Sequence, residues 1–197
     1  MKRKTAKKQS TSQPQSTLYL KFIIVYIIFG FLLFFTAATL TSGLTWTALK
    51  KSEAESLYQE ATVTAADYLP AYFSDSASSS DIHTQLNGMK AYTNAAIWFV
   101  DKNRNLIASA QPDDYPSPPT SIEDFNPAES GSSTWQEGDY HGYFEEDVLT
   151  VIAPVTQGFS IKGYLLIHKP LSDISPRRDM FMRNVYITLV IIYLLSF

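Results

Sequence analysis

No charged side chain lies between Lys21 and Lys50, and inside that gap Phe22 to Leu40 reads FIIVYIIFGFLLFFTAATL. As an α-helix these residues would span about 28 Å, close to the ~30 Å hydrocarbon thickness of a bilayer. A secretory leader has an apolar core of about 7–15 residues near the N-terminus. Here the core is longer and starts only at Phe22, so it is expected to persist as a membrane anchor. Lys2, Arg3, Lys4, Lys7 and Lys8 place the N-terminus on the cytoplasmic side. Lys50, Lys51, Arg177, Arg178 and Arg183 then flank the membrane on its outer side, which long translocated segments tolerate. A second apolar run, NVYITLVIIYLLSF, follows Arg183 and reaches Phe197. It is short of the ~20 residues a crossing needs. The expectation is a second transmembrane helix that these residues only begin, in the front part of a longer protein.

Between the apolar runs the character reverses. From Ser52 to Pro176 there are 18 Asp and Glu against five Lys and Arg, a net of 5 − 18 = −13, although the whole chain is formally only −3. A segment this acidic repels nucleic acid and anionic headgroups and attracts cations. Cysteine is absent, which excludes a disulfide framework, a thiolate metal site and a cysteine nucleophile.

Ala54, Leu57, Tyr58, Ala61, Ala65, Tyr68, Leu69 and Tyr72 recur at spacings of three and four, the mark of one helix face. This helix continues the membrane segment outward, with Gly43 as a place to bend and Pro70 as a disturbance. The face can serve dimerisation, or Ala61 and Ala65 can pack on a sheet. Ser74 to Ser80 reads as a linker, and Asp81 as the cap of a short helix with Ile82, Leu86 and Met89 on one side. Then the period changes. Ala95 to Val100 and Leu106 to Ala110 form a hairpin around Asp101–Asn105. A proline-rich excursion over 111–127 follows, with Ser121 to Phe125 as one helical turn. A weak strand over Gly138 to Phe144 and two firm ones, Val148 to Val155 and Ile161 to His168, complete an α+β domain with one antiparallel sheet.

These residues carry a resemblance. The hairpin IWFVDKNRNLIASA is similar to the first hairpin of extracytoplasmic PAS-like (PDC or Cache) sensor domains. GYFEEDVLTVIAPV and IKGYLLIHKPLSDI resemble their closing strands, with Gly163 opening the last strand and Pro170 and Ile174 at the exit. Arg104 departs from the pattern, because that turn usually carries Gly; Asn103 or Asn105 is then expected to supply the positive φ. The resemblance implies the input half of a bacterial sensor histidine kinase: a basic cytoplasmic tail over 1–17, a transmembrane helix over 18–44, a PAS-like sensor domain over 45–176, and the start of a second transmembrane helix over 180–197. It implies a multi-pass plasma-membrane protein and a homodimer. Its ligand would be a small molecule, cation or peptide. A response regulator would be its partner, with ATP and Mg confined to a kinase core outside these residues. Chemoreceptors and membrane nucleotide cyclases share this layout. A membrane-anchored scaffold, binding protein through 111–135, is the other alternative.

Catalytic patterns are missing. No two glycines are spaced as G-x-G, none of the three histidines is followed by Glu, and G-x-S-x-G does not occur. Asp113/Asp114, Glu123/Asp124 and Glu145/Glu146/Asp147 lack EF-hand spacing and read as solvated loops, so no metal site is expected. Trp98, His141 and Tyr143 are the ligand-site candidates: His141 for its titration near neutral pH and its neighbours Tyr140 and Tyr143, Trp98 and Tyr143 as pocket walls with Trp135 and Phe144. His168 alternates with Leu165 and Ile167 and reads as the outward face of the last strand.

Overall fold

The computed structural model describes residues 15–126 and 135–195, so the basic tail and Pro127 to Thr134 lie outside the described residues. The chain divides into two compact units, Met1–Gly43 with Met182–Phe197, and Leu44–Phe181. In order the elements are α1 (Gln15–Asp67), α2 (Pro70–Phe73), α3 (Ser79–Thr93), β1 (Ala96–Asp101), β2 (Leu106–Ala110), β3 (Trp135–Gly138), β4 (Val148–Gln157), β5 (Ser160–Pro170) and α4 (Leu171–Leu195).

The first unit is the membrane-like part. The most apolar stretch of its N-terminal helix has a mean hydropathy of 2.5, and only 6% of that stretch is buried. A helix in a soluble core would be mostly buried, so this is a membrane-associated protein. Among the described residues it is the one helix long and apolar enough to cross; α4 does not meet the same measure. Within this unit Tyr193 stacks on Tyr26 at 5.9 Å and fills the notch left by Gly30, where any Cβ would be driven into its ring.

The second unit is α+β with one antiparallel sheet, as expected, in the order β2-β1-β5-β4-β3. One sheet face presents Ile97, Phe99, Val151, Ala153, Leu165 and Ile167 to a helical layer. That layer offers Ala54, Leu57, Ala61, Ala65 and Leu69 from the stalk side, and Ile82, Leu86 and Met89 from α3. The small alanines let the helix lie close to the sheet. Ala54, Ala61 and Ala65 are therefore core positions, not a free dimerisation face; Tyr68, assigned to the same stripe, is exposed.

Several local readings change. α1 runs through Gly43 without interruption. The cap of α3 is Ser78, and Asp81 is its capping-box partner. Hydrogen bonds from the Ser78 backbone and hydroxyl hold the Asp81 carboxyl below its ordinary value. In the first hairpin Arg104 itself takes φ 74. The Asp101 carboxylate accepts from the backbone N–H groups of Asn103 (2.7 Å) and Asn105 (2.9 Å), which dictates the loop, and the Arg104 guanidinium donates to the Glu123 carbonyl. Ser121 to Phe125 is not helical: Ser121 bridges to Asn105, and Ile122 and Phe125 bury their side chains. The weak strand expected over Gly138 to Phe144 does not form: β3 lies before it, and the chain turns after Gly138 because Tyr140, His141 and Gly142 all have positive φ (47, 61 and 78°).

Gly163 lies in β5 between Asp101 and Val155. A Cβ there would be driven into the Val100 carbonyl oxygen and come within 3.3 Å of the Phe99 ring. Gly163→Ala is expected to cost about 2–3 kcal/mol, an overpacking penalty, as read by denaturant unfolding of the detergent-solubilised chain. An unchanged midpoint would mean the strands separate freely at this point.

Candidate functional site

The second sheet face holds the polar chemistry. Ala96, Trp98 and Val100 of β1 and Leu166 of β5 are covered by Ile122, Phe125, Tyr140 and Phe144 from the two long connections. Because both connections fold over this face, His168 is fully buried and not outward as expected. Its ring lies 4.4 Å from those of Trp98 and Tyr140 and 5.1 Å from that of Phe144. Thr150, its cross-strand partner in register, lies 2.8 Å from Nδ1. Nε2 of His168 and the hydroxyl of Tyr140 are buried with no hydrogen-bond partner among the described residues. Burial pushes the His168 imidazole down to about 3 and pushes the Tyr140 phenol well up, with Tyr143 adding to the latter.

Trp98 is the hub of the cage. It stacks on Phe144 at 5.6 Å, meets Tyr140 and Tyr143 edge-on, and places its indole N–H 3.4 Å from Gln111 Oε1. Of the three candidates, then, the fold unites Trp98 and half-buried Tyr143. It leaves His141 exposed on the outer side of the loop. Trp135 packs with the opposite sheet face.

At the end of β5 the sheet joins α4, and four contacts tie the joint. Lys169 Nζ reaches Glu53 Oε1 at 2.6 Å, and Arg177 reaches Glu53 Oε2 at 2.9 Å. The Asn94 side-chain amide, at the left-handed cap of α3, donates to Asp173 at 2.8 Å. The N–H of Leu171 donates to the Asp147 carbonyl at 3.0 Å. Beside the joint is a cleft of about 340 Å³ lined by Asn94, Asp114, Tyr115, Glu145, Glu146 and Asp173. The Tyr115 hydroxyl donates to the Asn94 carbonyl at 3.1 Å. Burial raises its pKa, helped by the fields of Asp173, Asp114 and Glu146. Among the described residues no three metal-ligating side chains gather, and the acidic pairs stand on loop surfaces.

Sequence reasoning missed Glu53, Tyr140, Thr150, His168 and Lys169. One signal was available: Thr150 and His168 are polar residues beside the apolar stretches Val151–Ala153 and Tyr164–Ile167 of the two long strands, where a partner across the strands would let both be buried.

No protein-family model and no curated protein matches the sequence. Among solved structures, the sensor domain of the V. cholerae histidine kinase DctB is similar, with 18% identity and a TM-score of 0.43. The match covers 70% of this chain and 58% of that one, less than two thirds of its length.

Two substitutions separate packing from polarity in the cage. Trp98→Ala is expected to destabilise by about 3–5 kcal/mol. Tyr140→Phe removes a hydroxyl without a partner and is expected to be neutral or stabilising by about 1 kcal/mol in thermal unfolding. A loss above that size would show that the hydroxyl is bonded.

Proposed function

We propose that this chain is an extracytoplasmic signal-input module, the sensing half of a multi-pass receptor of the sensor histidine kinase type. The supporting observation is the wiring of one strand. β5 lies at the centre of the sheet, continues directly into α4, and is ion-paired to α1 through Glu53 at the junction. Both helices continue into the apolar unit. A stimulus that favours one packing of the joint over another therefore moves α4 against α1. Its effect is limited to its difference in affinity for the two packings. The acidic cleft beside the joint is where a soluble ligand would reach it, and Trp98 and Tyr143 stand behind that cleft through Phe144. The same wiring would serve the input half of a chemoreceptor or nucleotide cyclase. A homodimer and a response regulator belong to this reading, and so does nucleotide chemistry in a kinase core beyond these residues.

The absence of cysteine makes topology directly testable. Single cysteines at the exposed positions Glu55, Tyr92 or Phe159 are expected to react in intact cells with a membrane-impermeant maleimide. Protection of all three until lysis would refute the extracytoplasmic placement. The wiring is tested by grafting the chain onto the output half of a sensor kinase. Glu53→Ala leaves the largely buried Lys169 ammonium unpaired and should cost about 3–5 kcal/mol. It should also change kinase output severalfold, as should one residue inserted between Gly43 and Lys50. Output unmoved by either change would sink the coupling.

A further inference from the structure

His168, Lys169 and Pro170 are the last residues of β5, and the two sides of this segment are held differently. On one side Lys169 is fixed by Glu53. On the other, His168 lies beneath the loop 139–147, which supplies Tyr140 and Phe144 to the cage. The last carbonyl of that loop, Asp147 O, holds the N–H of Leu171, the first residue of α4. Within the loop the backbone bonds run from Phe144 N to Asp139 O (3.1 Å) and from Tyr143 N to Tyr140 O (3.3 Å). Tyr140 and His141 both sit at positive φ, a conformation side chains adopt at a cost. The loop is thus a bent cover, pinned by two rings to one imidazole and joined at its end to the output helix.

The groups that face His168 bring no carboxylate to an imidazolium, and the attraction of aromatic rings for a cation falls short of the cost of burying its charge. From β1 comes Trp98, from the loop Tyr140 and Phe144, and from β4 the neutral Thr150. Lys169, next along β5, carries positive charge and is bound to Glu53. Tyr143 lies against Trp98, while His141, Glu145, Glu146 and Asp147 are on the exposed side of the loop.

We propose that His168 is an acid-operated latch: protonating its imidazole expels the ring from the aromatic cage, lifts loop 139–147 and releases the start of α4. The latch deepens the sensor reading above and depends on it only for the side of the membrane and for what α4 drives. The sign follows from burial. The closed form favours the neutral ring, with a pKa of about 3 against an ordinary 6.5. The contribution of His168 to closure is complete above about pH 6.5 and is lost as pH falls from there towards 3. Over that window the opening constant should rise about tenfold per pH unit.

Amide hydrogen exchange on the whole chain in lipid nanodiscs tests this, with wild type and His168→Phe compared at each pH from 7.5 to 5.0. Phenylalanine keeps the aromatic volume and cannot titrate. Exchange across 140–147 in wild type, relative to the variant, is expected to increase about 30-fold over this range. His141→Gln should leave the wild-type curve unchanged. Parallel curves for wild type and His168→Phe would overturn the latch. Should His168→Phe not fold, nitrogen-15 histidine NMR of the wild type decides instead. An imidazole that titrates near pH 6.5 while the loop stays protected overturns the latch; protonation and loop exchange rising together support it. Acid opening of the loop without a change in output of the grafted kinase would support the latch and count against the sensor reading alone.

Discussion

The carboxylate of Glu53 stands between the Lys169 ammonium and the Arg177 guanidinium, one from the end of β5 and one from the first turns of α4. Its own place is dictated by packing, because the next residues, Ala54 and Leu57, are buried against the sheet. Glu53 and Lys169 are mostly withdrawn from water, with side chains 13% and 11% exposed, so each needs the other. Desolvation offsets much of the Coulomb attraction in such a pair, which therefore contributes modestly to stability and strongly to register. A turn of α1 slid along β5 would strand a charge. The path from sheet to helix is consequently specified by one interaction with few tolerable alternatives.

The two faces of the sheet are built on different principles. The helical face is mostly apolar, with alanines and branched aliphatics in close contact and the Glu53–Lys169 pair among its few polar groups. The other face is covered by connections instead of helices. There the aromatic rings are packed around a histidine and a threonine that satisfy each other across neighbouring strands. Long connections bring polar backbone and side chains with them, and two polar atoms, on His168 and Tyr140, end without a partner among the described residues. Among the described residues the helical layer has no such orphaned side-chain atom. The layer of connections is also the one whose last backbone bond reaches α4.

Much of the second unit was legible from its sequence. The helix stripe through Ala54, Leu57, Ala61 and Leu69, the face of α3, the first hairpin and the two long strands all follow from periodicity and from turn residues. What periodicity could not report was the second face. Alternation identifies which side of a strand is buried when the other side meets water, and here both sides are covered, so His168 was placed outward. Arg104 was misjudged for a related reason: intrinsic preference disfavours its φ, while three hydrogen bonds from the loop to Asp101 impose it. The site residues fared worse. Glu53 lies 116 residues before Lys169 and 124 before Arg177, and no local pattern connects them.

The charge-free apolar run of α1, the acidic middle, and the switch from helical to alternating period are properties of consecutive residues, and they determined a membrane-associated chain with an α+β unit. Which loop closes over the sheet, which carboxylate meets which ammonium, and whether a histidine is solvated or sealed depend on segments brought together from opposite ends of that unit. Local preference is set by bonds between neighbours. Burial and electrostatic pairing are set by distance in space, and only the folded chain supplies those distances.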